Sequence, residues 1–431
     1  MRLLLAVTAV LCVSQLCLGD DPKLWAFLVA GSNGYFNYRH QADVCHAYQI
    51  MKAHGIPDER IIVMMYDDIA KNSENPTPNI VINHLNGSDV YHGVPKDYTK
   101  DLVTPENFIK ILKGEKVEGG SGKSLDSGPN DHVFVNFVDH GATGILGFPT
   151  DELTVKQLTD ALQTMHDKKR FAKLVFYVEA CESGSMFENH LPDNINIFAT
   201  TASNAKESSY ACYYDSLRET YLGDWYSVNW MEDSDKEDLG QETLQRQYEI
   251  TRQETKTSHA KEYGDLTISK LTVSEFQGAK KTQAVTYPPR TPSEVSDTVS
   301  TWDVPLAIQQ KKIAKATDPQ KRQELKKELR AMQKRRLELT MMMKSIVGSV
   351  AEHEEMATRM FTKRSGVQDR DCHHELVKHF SQNCLSLSQN PFAMKYAFVL
   401  ANLCNEGIDV SLAKTEIDKA CSSLPKEELY L

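Results

Sequence analysis

The stretch KLVFYVEACESG, Lys173 to Gly184, decides the fold. Leu174 to Val178 are apolar, β-branched or aromatic, and a polar, Gly-containing cluster stops them. That pattern reads as a buried strand of a parallel sheet. Glu179, Cys181 and Glu182 follow at its C-terminal end, the edge where ligands gather in open α/β sheets. A lone thiol beside a strand is most often a packing residue. Whether Cys181 is instead a nucleophile depends on what the rest of the chain brings to the same edge.

Working outward, apolar runs recur at Leu24–Ala30, Ile61–Tyr66, Val133–Val138 and Ile195–Thr200. Between them lie helical patterns at Gln41–His54, Pro105–Leu112 and a helix capped by Thr154, with Val155, Leu158, Leu162 and Met165 on one face. Strands alternating with helices predict a doubly wound α/β domain to about Gly278. Asp68–Tyr98 reads as a long polar loop, and a Tyr-rich loop follows Ser208 and Ser209. Gly122-Lys123-Ser124 is not a phosphate loop, because Val117 stands where its first glycine belongs. No cofactor is expected. His46 shares a helical side with His40 and Asp43, but the spacing matches no tight zinc pattern, so no metal is expected.

Composition changes near residue 279. Residues 279–317 read as a linker, rich at first in Pro, Ser and Thr. Asp318 as N-cap and Pro319 at the first helical position open a long amphipathic helix. Its stripe (Leu325, Leu329, Met332, Leu339, Met343, Ile346, Val350) is interrupted only by Arg336. Lys311–Arg336 holds eleven Lys/Arg against three Asp/Glu. That run reads either as a solvated face or as a basic cover for the acidic segment Glu232–Asp238. Residues 318–431 are expected to form a helical domain.

The chain has 431 residues and a net charge of −10, which argues against nucleic acid as a partner. Residues 1–19 carry one cation, a short apolar run and a small residue before Asp20-Asp21, the pattern of a secretory signal peptide. No membrane span is expected. A lysosomal, endosomal or secreted compartment, a gut lumen included, permits disulfides. Of nine cysteines, Cys12 and Cys17 belong to the signal. Cys372, Cys384, Cys404 and Cys421 form an even set whose pairing stays open. Cys45, Cys181 and Cys212 leave an odd number, so at least one thiol is expected to stay unbridged. Cys45 and Cys212 read as packing residues, and His373 and His374 as surface residues. Asn86-Gly87-Ser88 is the N-glycosylation acceptor sequence.

His140 stands just past the third strand and Cys181 just past the fourth, so parallel strands bring them to one edge. A Cys–His pair supplies a thiolate and a general acid for a leaving amine. Gly141 permits close backbone approach, and its N–H with that of Cys181 suits an oxyanion. These agreements turn Cys181 from packing residue to candidate nucleophile. The segments AGSNGYFNYRHQADVCHAYQI, DHGATG, EACESGSM, ESSYACYYD and YLGDWYSVNWMEDSD resemble the legumain (asparaginyl endopeptidase) family of caspase-like cysteine peptidases. The resemblance implies a mostly parallel six-stranded sheet flanked by helices, and an all-α C-terminal prodomain that inhibits a precursor. It makes Cys181 the nucleophile, His140 its acid/base partner and Asn37 the residue orienting that histidine. It places Arg39, His40, Glu179, Ser208 and Asp224 at the primary specificity pocket, and it adds cystatin-type inhibitors to protein substrates as partners.

A cation for a carbonyl and carboxylates for an NH₂ fit an asparagine side chain. Cleavage after Asp is expected only at acid pH, where its carboxyl is protonated. The family processes itself after a linker asparagine, but this chain has none between Asn229 and Asn383. Asp303, Asp318 or Asp297, or another protease acting on the basic stretch, are the expected alternatives. Lys395 stands where the resemblance places an arginine near the covered site, and Glu182 is expected to contact the prodomain. Two other activities remain open: peptide ligation through the same acyl-enzyme, and non-catalytic binding on the same fold.

Overall fold

The computed structural model describes residues 22–279 and 297–422; the signal-peptide reading and linker residues 280–296 lie outside them. The N-terminal unit runs β1 (Leu24–Ala30), α1 (Tyr38–Ala53), β2 (Ile61–Met64), α2 (Pro105–Leu112) and β3 (His132–Val138). Then come β4 (Gly141–Ala142), β5 (Ile145–Gly147), β6 (Glu152–Thr154), α3 (Val155–Asp167), β7 (Lys173–Glu179) and β8 (Ile197–Thr201). It closes with β9 (Tyr210–Asp215), β10 (Thr220–Asp224), α4 (Trp225–Lys236), α5 (Leu244–Glu254), β11 (Lys261–Gly264) and α6 (Ser274–Gln277).

Six strands form the main sheet in the order β11-β8-β7-β3-β1-β2, all parallel except β11. Successive side chains of a strand point to opposite faces, and both faces are buried. Phe27, Val29, Val135, Phe137, Phe176 and Val178 pack with Phe108 of α2 and Leu158, Leu162 and Met165 of α3. Ala26, Leu28, Phe134, Val175 and Tyr177 pack on the other side with α1, α4, α5 and α6. Two-sided burial explains why these strands read as continuous apolar runs rather than alternating ones. Thr154 caps α3 through a reciprocal box with Gln157.

Register places the site. Ala30 lies opposite Val138, and Val138 opposite Glu179. The segments after β1, β3 and β7 therefore leave the sheet side by side. Helix α1 starts three residues before the expected Gln41, which sets Arg39 and His40 in its first turn.

The C-terminal unit holds α7 (Val304–Lys315), α8 (Pro319–Val350), α9 (Glu354–Thr362), α10 (Arg370–Asn383), α11 (Pro391–Met394), α12 (Ala397–Asn405) and α13 (Val410–Cys421). Asp318 accepts from the amides of Gln320 and Lys321, so α8 begins as its sequence dictates. Disulfides join Cys372 to Cys404 and Cys384 to Cys421. The unit's core includes Ala142 and Ile145 of β4 and β5, so it is seated on the first unit beside His140.

Three expectations are corrected, and one pair of alternatives is decided. Residues 297–317 are not an open linker: β12 (Val299–Ser300) pairs with β9, and α7 follows. The Tyr-rich loop is the β9–β10 hairpin, where half-buried Tyr210 and Tyr214 and the positive φ at Tyr213 hide the strand pattern. The basic half of α8 is a solvated face, with Lys321, Arg322, Lys326, Lys327 and Arg330 exposed. Cations that reach the first unit include Arg364, Arg370 and Lys378, with Lys311, Lys312 and Lys315 of α7. His373 is fully buried, because Gly144 (φ +69) lets its ring pack where a Cβ would lie 2.9 Å from it.

Candidate active site

Asn37 sits at the N-terminal boundary of α1 but makes no cap bond with its side chain. Its Nδ2 donates to the Asn33 carbonyl (2.9 Å), which fixes the amide so that Oδ1 faces His140 Nε2 at 2.8 Å. His140 therefore carries its proton on Nε2. Its buried Nδ1, which has no hydrogen-bond partner, keeps the lone pair of a base. Burial, then the charge of Arg39, holds the imidazole well below its ordinary pKa, so it is neutral.

Cys181 follows Ala180 at the end of β7 and is fully buried. Gly141 beside it has no room for a side chain, since a Cβ would lie 2.6 Å from the Cys181 carbonyl. The Cys181 sulfur lies 3.2 Å from Ser208 Oγ and 3.7 Å from Ser209 Oγ. Ser208 donates its own proton to the Ser209 carbonyl (2.7 Å), so it meets the sulfur as an acceptor, which suits S–H. Burial pushes the thiol pKa up, with Ser209 and Arg39 opposing it.

The segment that begins at Asp297 is bonded to the two serines beside this thiol. Ser300 Oγ lies 2.8 Å from Ser208 Oγ, and Thr301 Oγ1 lies 3.2 Å from Ser209 Oγ, with β12 laid along β9. Arg336, which interrupts the apolar stripe of α8, is buried and grips Asp303 Oδ1 (2.5 Å) and the Trp302 carbonyl (2.6 Å). Glu182, at positive φ and fully buried, accepts from Thr143 (2.5 Å) and from Arg364. Lys395 lies over the Trp302 ring, and Arg364 is the cation that reaches Glu182.

Beside the thiol lies a buried charged cluster. Arg39 Nε donates to Asp224 Oδ1 at 2.8 Å. Glu179 Oε2 accepts from the amide and hydroxyl of Ser227 (2.9 and 3.0 Å). His40 Nδ1 lies 2.6 Å from Ser32 Oγ and 3.3 Å from Asp139, and its ring meets that of His140 edge-on. Arg39 Nη2, Glu179 Oε1 and Asp224 Oδ2 are buried and without hydrogen-bond partners. Burial raises the pKa of Glu179 and of Asp224; the charge of Asp224 adds to the first, and Arg39 opposes the second. Asp139 is pushed up to about 8, mainly by burial. Among the described residues, His40, Asp139 and His140 form the group whose ligand atoms, all within 4.8 Å of one another, could hold a cation.

Every sequence-assigned site residue is thus gathered at one sheet edge, apart from Asn86, the linker aspartates and the four disulfide cysteines. Asn86 is exposed in a turn. Asp303 is tied to Arg336, Asp297 accepts from the Tyr214 amide and pairs with Lys311, and Asp318 is exposed as the cap of α8. Cys45 and Cys212 are buried thiols outside the disulfides. Sequence reasoning gave no site role to Ser32, Asp139, Ser209, Ser227 and Arg364. Asp139 alone carried a signal, its place before His140. Among the described residues no helix is long and apolar enough to cross a membrane.

Residues 24–279 match the peptidase C13 family, and residues 323–421 match the legumain prodomain. The chain is 51% identical to legumain of Rattus norvegicus, covering 94% of each, and 49% identical to legumain of Homo sapiens, covering 93% of this chain and 94% of that one. Hemoglobinase of Schistosoma japonicum is 42% identical over 93% of this chain and 94% of its own. The crystal structure of caspase-1 from Spodoptera frugiperda aligns with a TM-score of 0.34 at 10% identity, over 61% of this chain and 92% of that one, too slight a likeness to argue from. With a thiol and an oriented histidine at one sheet edge and a prodomain seated beside them, the chain belongs to the peptidase C13 family of cysteine endopeptidases.

Proposed function

We propose that this endopeptidase cuts peptide bonds after asparagine, and after aspartic acid at acid pH, once its prodomain has been displaced. One observation carries the specificity. Besides His40 Nε2, which lies 3.6 Å from Asp224 Oδ2, three buried pocket atoms lack hydrogen-bond partners: one donor, Arg39 Nη2, and two acceptors, Glu179 Oε1 and Asp224 Oδ2. A primary amide offers one acceptor and two donors, so an asparagine side chain satisfies all three. Side chains that leave these groups unpaired in a buried site are rejected strongly. Ionised aspartate meets two carboxylates; its neutral form again presents a donor and an acceptor.

In the reaction, His140 Nδ1 takes the thiol proton while Asn37 holds the ring. Sγ of Cys181 attacks the carbonyl carbon, and the amides of Gly141 and Cys181 receive the developing oxyanion. The C–N bond breaks as His140 returns the proton to the leaving amine, and water then hydrolyses the thioester. In the precursor the thiol is buried, burial favours its protonated form, and Ser300 and Thr301 are bonded to the serines beside it. That arrangement supports latency until acid loosens the prodomain.

Of the expected processing sites, Asp318 precedes Pro319, whose ring fixes φ and lacks an N–H. The Asp303–Val304 bond is the better substrate, freed when Arg336 lets go. Secretory-pathway targeting, glycosylation at Asn86 and a lysosomal or secreted destination belong to the same reading. Terminal sequencing of precursor held at about pH 4, with and without Cys181→Ala, tests self-processing. Cleavage of the Cys181→Ala protein alone in the absence of added protease refutes it.

A further inference from the structure

Beneath the pocket runs a column of buried polar groups that the proposed chemistry does not use. Asn83, from the long loop after β2, donates through Nδ2 to Asp43 Oδ1 (2.7 Å) and to the Leu222 carbonyl (2.9 Å). Both are acceptors, so the amide has one orientation, and its Oδ1 faces His46 Nδ1 at 2.8 Å. His46 Nε2 lies 2.9 Å from Asp235 Oδ2 on α4. Each ring nitrogen thus meets an acceptor, and each must carry a proton. His46 is an imidazolium, although it is only 8% exposed. At the other end of the column, Asp43 Oδ2 accepts from the backbone amide of Asp224 at 3.2 Å. Asp224 is the carboxylate that holds Arg39 in the pocket. On α1, Arg39, Asp43 and His46 stand at i, i+4 and i+7, one polar stripe along the helix.

We propose that His46 is a positioning residue for the specificity pocket: as an imidazolium it locks Asn83, which fixes Asp43 and through it the backbone of Asp224. This rests on the pocket reading given above. A neutral ring has a single N–H. Deprotonation therefore sets a lone pair against either Asn83 Oδ1 or the Asp235 carboxylate. Turning Asn83 to compensate would aim its carbonyl at Asp43 and at the Leu222 carbonyl. The pocket then loses its fixed geometry while Cys181, His140 and Asn37 stay in place.

The titratable groups around His46 are Asp235 and Glu232 of α4, the latter paired with Lys236 (3.7 Å), and, across Asn83, Asp43, whose pKa is raised by burial and then by the charge of Asp224. Burial pulls the imidazole pKa down, but the bonds from Asp235 and Asn83 and the charges of Asp235 and Glu232 outweigh it, so the net shift is upward. A raised folded-state pKa means the lock is complete below the ordinary value of about 6.5 and is lost as pH rises through the raised one.

The test uses activated enzyme and an Ala-Ala-Asn reporter, with kcat and KM measured separately between about pH 5 and 8. In the wild type, KM is expected to rise on the alkaline side before kcat falls. Asp235→Asn keeps an acceptor for the Nε2 proton but removes the charge, so its KM limb is expected about one pH unit lower with kcat unchanged at acid pH. His46→Gln cannot titrate; its KM is expected about tenfold higher and flat across the same window. Should His46→Gln fail to fold, Asp235→Asn decides alone. KM profiles that coincide with the wild type overturn the proposal, as does a variant that loses kcat instead. A wild type that does not cut the reporter overturns the functional reading itself, and this proposal with it.

Discussion

Asn37 stands where a helix cap belongs, yet it aims its carbonyl oxygen at His140. Asn37→Ala should therefore cost α1 little and catalysis more. The expected result is a fall in kcat of about tenfold, the worth of one hydrogen bond to a group that becomes charged, with KM nearly constant. A change confined to KM contradicts the orienting role. Glu179→Gln removes one of the two carboxylates facing the substrate side chain. At neutral pH it should raise cleavage after Asp relative to Asn by about tenfold, the equivalent of one unit of charge-state preference. Comparing kcat/KM on paired reporters checks this, and an unchanged ratio contradicts it. Residues at or just past a strand's end, such as Glu179, Cys181 and His140, were legible because an apolar run announces its own end. Asn83, Ser227 and Arg364 were not. Each reaches the site from a distant segment with no local pattern, and only the folded register brings them there.

Among the elements, the main-sheet strands β1, β2, β3, β7 and β8 were readable because both of their faces are buried. The hairpin β9–β10 and the short strand β12 were not, since they are short and mix polar residues with tyrosines, although β10 is buried throughout. Helix α8 shows how an interruption can inform. Arg336 breaks its apolar stripe because its guanidinium must hold Trp302 and Asp303, and with them the segment bonded to the serines beside the thiol. Arg336→Ala leaves those acceptors unmatched and loosens residues 299–303. Its precursor should process itself faster at acid pH and show measurable reporter turnover near neutrality, where the wild-type precursor shows none. An equally silent Arg336→Ala precursor would contradict the role given to this contact.

Over the whole molecule, the prodomain meets the catalytic unit through groups that respond to acid. His374 Nδ1 bonds Thr154 Oγ1 (2.9 Å), and burial, then Lys378 and Lys156, lower its pKa. His373, buried against Gly144, is held down to about 3 by burial and by the charge of His374, with His190 adding to it. A histidine whose pKa is depressed by docking supports the docked state fully above about 6.5 and progressively less as pH falls below that. Glu152 works the other way. Burial against Ser381 and Ser388 raises its pKa, so its protonation favours docking. The two histidines must outweigh it for acid to release the prodomain. His374→Gln keeps a partner for Thr154 and cannot become charged, so release of the cut prodomain, followed by gel filtration, should need a pH lower by about half a unit. An unshifted midpoint contradicts that assignment. The disulfides close loops of 32 and 37 residues within the prodomain, each worth about 3–4 kcal/mol, so released prodomain should stay folded in acid. The central claim is the complementarity of the pocket to a neutral amide, and paired reporters differing only in Asn or Asp test it most directly. With activated enzyme, kcat/KM should favour Asn by at least about tenfold at neutral pH, and the gap should close toward acid pH as the aspartate is protonated; equal cleavage of both at neutral pH would contradict it.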